Sequence, residues 1–292
     1  IKNMHNSNKK SKKLTNSIFL HKTKIFSTII FVPFLYLLGW IFSQSFLFLS
    51  LSKEALSLIG TIFTFLLFIS LMPAWFNFRW QIRNSWETLG LNNKTFLNNI
   101  LSFSQGIIFA LILLILILIP LLKSNYITFS GGLSSDIILN GILLTFGIGV
   151  AEEIIFRGWL LEDLKLQFGI KVALISQSIV FSLVHIGFKM PFWNTLGILL
   201  GLFTLGILCS IIRLKDEGSL WGAIGLHGGL VGIWFVLNNG LINISKEAPV
   251  WLVGYGAPNT NPLGGSYGIS LLLISCIFYF LKFKNQIFKF IK

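Results

Sequence analysis

Apolar stretches of about twenty residues recur along this chain, separated by short polar and basic segments. About 20 apolar residues in a helix cross the hydrocarbon core of a bilayer. Read that way, the pattern predicts spans near Ile25–Leu49, Ala55–Phe76, Ile100–Leu122, Ile137–Phe156, Lys171–Phe188, Asn194–Leu214, Ser219–Asn239 and Gly268–Phe283. The predicted fold class is an all-α, polytopic membrane bundle of about eight transmembrane helices. Pro33, Pro73 and Pro120 fall within or at the end of the first three spans and are expected to kink or end them. The chain divides into residues 1–24, a basic tail; 25–136, three spans; 137–239, a four-span core; 240–267, a loop on the outer side; and 268–292, a last span with a basic end. Residues 240–265 carry turn chemistry around Trp251, Gly254, Pro258 and Pro262. They read as an ordinary loop or, alternatively, as a partly re-entrant cap over the bundle.

Composition sharpens this picture. Hydrophobic residues make up 54% of the 292 positions and charged residues only 11%, against about 25% in a soluble domain. The net charge of +13 is expected to reflect topology and not a nucleic-acid partner, because Lys and Arg cluster between the apolar runs. With the N-terminus inside, only Lys53, Lys123, Lys189 and Lys246 of the 23 basic residues fall on the outer side. That is the bias of multi-pass proteins toward positive cytosolic segments, and it predicts both termini in the cytosol. The first apolar run is long enough to span and lacks a small-residue cleavage pattern, so it is expected to stay in the membrane. Cys209 and Cys276 lie inside apolar segments and read as core residues.

Ionisable residues inside spans are costly and usually functional. Here they are Glu152, Glu153, Arg157, His185 and His227, drawn from three helices. Glu153 and Arg157 are four apart with the acid first, the favourable order for a helical ion pair. Glu152 is rotated by about 100° on the same helix and can face another partner. If helix four continues to a turn at Phe168–Gly169, Glu152 and His185 are nearly equidistant from that turn, and hence at equal depth in an antiparallel pair. His227 reaches the same layer if that turn projects into the cytosol, as the amphipathic Trp159–Phe168 stretch suggests. Phe181, four residues before His185, shares its face and is read either as a shield over the imidazole or as an ordinary core aromatic.

The run Glu152-Glu153-Ile154-Ile155-Phe156-Arg157, the pair Phe181 and His185, and His227 together resemble the three motifs of the intramembrane CAAX-protease and bacteriocin-processing (CPBP or Abi) family, the type II CAAX prenyl endopeptidases. The resemblance spans roughly Gly141 to Asn239. It implies an intramembrane endopeptidase acting near the cytosolic face on a peptide or membrane-protein substrate. Glu152 would activate water, and His185 and His227 would bind that water and stabilise the oxyanion. Glu153, Arg157 and Phe181 would support them. A metal-free mechanism without cofactor is the favoured reading; if zinc is used, Glu152, His185 and His227 would be its ligands, a metalloprotease-like arrangement. One departure stands out. Where the family commonly has Asn or Asp four residues after the last His, this chain has Val231, so a catalytically inactive scaffold or regulator is the alternative. A proton-coupled transporter is a third reading, with no inverted repeat to support it.

Overall fold

The computed structural model describes residues 25–92, 95–186, 192–254 and 261–291. The basic tail at 1–24, Lys189, and Pro258 of the outer segment lie outside the described residues. Among the described residues, seven helices are long and apolar enough to cross a membrane, and the chain is an all-α polytopic bundle. The spans expected near Ile25 and Ala55 are α1 (Ile25–Gln44) and α2 (Lys53–Trp80). Both helices run through their prolines, Pro33 and Pro73, instead of ending there. In a bilayer, neighbouring helices and Ser/Thr side chains compensate for the missing backbone bond.

These two helices form one compact unit within residues 1–86. Ser52 caps α2 by accepting the Ala55 amide at 3.2 Å, supplying one of the partners a helix start lacks. A Cβ on Gly39 would lie 2.4 Å from the Gly60 carbonyl oxygen, so the hairpin closes on small residues, as lipid-embedded helices tend to. At its far end, buried Arg79 donates to Thr28 Oγ1 at 3.0 Å and sits over the Trp75 ring at 4.9 Å.

The second unit covers residues 87–292. After the short helix α3 (Ser85–Leu89), it contains α4 (Phe96–Lys123), α5 (Ser135–Glu153), a π-helical turn (Ile154–Leu160) and α6 (Leu161–Phe168). It continues with α7 (Ile170–Leu183), α8 (Phe192–Lys215), α9 (Trp221–Val236) with a second π turn (Leu237–Leu241), α10 (Val250–Val253) and α11 (Ser266–Ile291). The fifth expected span is α7, which has only 14 residues. At 1.5 Å per residue it rises about 21 Å, short of a full crossing. It stops just before His185, so that histidine sits at the tip of a half-length helix. Gly169, at φ +81°, makes the tight turn between α6 and α7 and donates its amide to the Lys165 carbonyl. Within the amphipathic Trp159–Phe168 stretch, Leu161, Glu162, Asp163 and Leu164 are buried, while Leu166 and Phe168 near the turn are exposed.

α9 is the central helix and lies between α4 and α5. A Cβ on Gly225 would fall 2.1 Å from the Phe103 carbonyl oxygen, and one on Gly228 would fall 2.1 Å from that of Thr145. Gly149 likewise meets the Gly228 backbone. Helix axes this close are possible only where side chains are missing, and backbone approach of this kind is the usual glue of membrane helices. The antiparallel register is thereby fixed: Gly149 opposite Gly228 and Gly141 opposite Val236. At the other end of the bundle, strands β1 (Ile127–Phe129) and β2 (Ile242–Ile244) pair antiparallel, Thr128 opposite Asn243. The described residues of the outer segment, 240–254 and 261–265, carry local structure of their own. A short 3₁₀ turn at Pro262–Gly264 packs on α8, where a Cβ on Gly201 would lie 2.2 Å from the Leu263 carbonyl oxygen.

Candidate active site

The π turn begins immediately after Glu153. Such insertions locally rewind a helix and are frequent at functional sites. Adjacent acids at the end of α5 consequently have different fates. Glu153 and Arg157 are fully buried and paired at 2.6 Å. The Glu152 side chain retains 26% exposure and faces a cavity.

The structure brings Glu152, His185 and His227 together. Glu152 Oε2 lies 3.3 Å from His185 Nε2 and 3.8 Å from His227 Nε2. Each ring is oriented from behind. His185 Nδ1 meets the Phe181 carbonyl at 2.7 Å, and His227 Nδ1 meets Glu153 Oε1 at 2.8 Å. Both partners are pure acceptors, so each Nδ1 carries the proton and donates it. With Nδ1 so held, each ring turns its Nε2 toward Glu152. Two imidazole nitrogens and a carboxylate oxygen therefore face one another, a constellation that can hold a small polar molecule such as water.

Glu153 does more than pair with Arg157: the same Oε1 accepts both the guanidinium and the imidazole of His227. Phe181 is fully buried, not lipid-facing. Arg157 sits over its ring at 4.1 Å, and the His185 and His227 rings meet it edge-on at 4.8 and 5.5 Å. Its aromatic face takes the cation, leaving its rim to fix both imidazoles.

Arg213, near the end of the expected span Asn194–Leu214, is not among the candidate site residues read from the sequence. It is 2% exposed. It pairs with Glu162 at 3.1 Å, donates to the carbonyl of Arg157 within the π turn, and also reaches the carbonyls of Gly218 and Thr88 at 3.1 and 2.8 Å. Five N–H donors in a rigid fork suit a residue joining several backbone segments. The only hint in the sequence was an Arg ending an apolar helix before Lys215-Asp216-Glu217.

The site opens into a cavity of about 520 Å³. Leu144 and Ile148 precede Glu152 on one face of α5, and Val231, Trp234 and Asn238 follow His227 on one face of α9. The side chains of Asn261, Pro262 and Leu263 close the far end. Among the described residues no group of three His, Cys, Asp or Glu side chains is arranged to hold a metal ion. Glu152 lies against both His185 and His227.

Comparison with known protein families gives two matches. Residues 134–233 match the family described as type II CAAX prenyl endopeptidase Rce1-like, and residues 7–84 match a domain of unknown function (DUF8676). No curated protein and no solved structure matches the chain.

Proposed function

We propose that this chain, which belongs through residues 134–233 to the Rce1-like family of type II CAAX prenyl endopeptidases, is an intramembrane endopeptidase with Glu152 as its general base. The observation that carries this reading is the convergence of Glu152 Oε2 with the Nε2 atoms of both histidines at the end of an apolar cavity. Water held by Glu152 and a histidine lone pair loses a proton to the carboxylate as its oxygen attacks the peptide carbonyl. A C–O bond forms and the carbonyl becomes an oxyanion. Passed from Glu152 to His185, the proton converts Nε2 into a donor that can stabilise that oxyanion; the Phe181 carbonyl, accepting from Nδ1, supports the charged ring. His185 then gives that proton to the leaving nitrogen as the oxyanion re-forms a carbonyl and the C–N bond breaks, which yields a carboxylic acid and an amine and returns the imidazole and Glu152 to their starting states. Glu153, Arg157 and Phe181 hold the imidazoles in place, and Arg213 anchors the π turn. The basic segments put the Glu152 end of the cavity near the cytosolic face, with the bilayer and a peptide or membrane-protein substrate as partners.

A second reading rests on Val231. It lines the cavity one turn beyond His227, where the resemblance calls for Asn or Asp. An apolar residue there supplies no oxyanion donor, and loss of one such donor costs roughly 10²–10³ in rate in a well-studied protease. An inactive scaffold would keep the fold with this gap. Cleavage of a membrane-peptide library by purified protein beside Glu152→Gln separates the two. Glu152-dependent cleavage supports the protease; identical behaviour of both proteins, with the fold intact, favours the scaffold.

A further inference from the structure

The cavity has a second polar end. Asn238 lies eleven residues after His227 on α9, and eleven residues is almost a whole number of turns, so both side chains are on the same face about 16 Å apart. Between them the wall is apolar: Val231 and Trp234 on α9, Leu144 and Ile148 on α5. Asn261 also lines the cavity; its Oδ1 accepts the Leu263 amide at 3.2 Å, which leaves its amide N–H groups available. The Asn238 side chain has no hydrogen-bond partner among the described residues and contributes a donor and an acceptor together. Apart from Glu152 and the two histidines, no ionisable residue among the described residues lines the cavity.

We infer that Asn238, with Asn261, forms a neutral subsite that binds a backbone peptide group of an extended, uncharged, apolar substrate segment about five residues from the scissile bond. The spacing follows from geometry, since an extended chain advances about 3.3 Å per residue and 16 Å is about five residues. The chemistry follows from the side chain. A primary amide pairs donor to acceptor with a peptide C=O and N–H, and an apolar wall without countercharge penalises any charged side chain laid along it. The inference rests on the protease reading only for its reference point, the bond beside Glu152.

The test separates binding from cleavage. Full-length Glu152→Gln protein in nanodiscs is titrated with an end-blocked, fluorescent decapeptide of Leu, Val and Ala, and the titration is repeated in the Glu152→Gln/Asn238→Leu double variant. Asn and Leu are close in size, and the expected result is about tenfold weaker binding, the worth of one or two hydrogen bonds. A Lys scan of the peptide against the single variant needs no change at Asn238. It is expected to show a run of about five consecutive positions where Lys abolishes binding, flanked by positions where Lys is tolerated. Equal affinity of both proteins, uniform tolerance of Lys, or no binding of the decapeptide would each overturn the inference. The two readings fail separately: this pattern in a protein whose wild type cleaves nothing keeps the subsite and removes the protease, while Glu152-dependent cleavage without the pattern does the reverse.

Discussion

Gly228→Ala probes how tightly catalysis depends on the contact between α5 and α9. The added Cβ would lie 2.1 Å from the Thr145 carbonyl oxygen, 3.0 Å from its carbon and 3.3 Å from Gly149 Cα. Ordinary carbon–oxygen contact needs upward of about 3 Å, and the obstructing atoms are backbone, so the helices must part by about 1 Å. Overpacking of this kind costs about 1–3 kcal/mol. The functional cost is larger, because Glu152 is carried by α5 and His227, adjacent to Gly228, by α9, and they meet at 3.8 Å. A 1 Å misplacement of reacting groups costs about 10²-fold in rate. The assays are thermal unfolding followed by tryptophan fluorescence in one detergent, and peptide cleavage at saturating substrate. Gly147→Ala is the control: a Cβ at Gly147, also on α5, meets nothing within 4 Å, and Ala there should match or slightly exceed the wild type in stability. If Gly228→Ala behaves like Gly147→Ala in both assays, the close-packing argument is wrong.

Other expectations follow from single contacts. Glu153→Gln leaves the buried Arg157 without its carboxylate and should destabilise the protein by about 3–5 kcal/mol, with a lower unfolding temperature and a slower reaction than wild type. Val231→Asn should raise kcat by about tenfold or more if an oxyanion donor is limiting; an unchanged kcat would show that the donor comes from elsewhere. Arg213→Met should cost about 3 kcal/mol, because it leaves the carbonyls of Arg157, Gly218 and Thr88 without their donor while Glu162 keeps Lys165 at 3.1 Å, and Arg213→Lys should rescue little of it because an ammonium cannot reach carbonyls on three segments at once; full rescue by Lys would refute the fork argument. For topology, an impermeant maleimide on sealed cells should label Ser245→Cys directly and Glu217→Cys only after lysis, and the opposite pattern would invert the orientation.

Much of this architecture was legible from hydropathy alone, because lipid exposure demands unbroken apolar runs. α1, α2 and α4 have boundaries within a few residues of those expected. The meeting of Glu152 and His185 was legible too, since equal distance from the Gly169 turn reduces to counting residues at a constant rise. What hydropathy does not encode is tertiary. Arg213 looked like any basic residue at a membrane edge, and its burial is set by carbonyls more than 50 positions away. The inward packing of Glu162 follows from that same arginine, which pairs with it at 3.1 Å. Asn238 follows His227 by eleven residues, too far along the helix to stand in for the missing polar residue at 231. It is remote, but the distance spans one continuous cavity, and no one-dimensional pattern carries the shape of an enclosed space.

The central claim, that Glu152 activates water for peptide hydrolysis, is tested most directly by reconstituting wild type and Glu152→Gln in liposomes and following cleavage of a library of membrane peptides, each with and without a chelator. The account predicts cleavage by the wild type that survives chelation and falls by at least about 10³-fold in Glu152→Gln, the scale expected when an essential general base is removed. Cleavage by Glu152→Gln at the wild-type rate would contradict it.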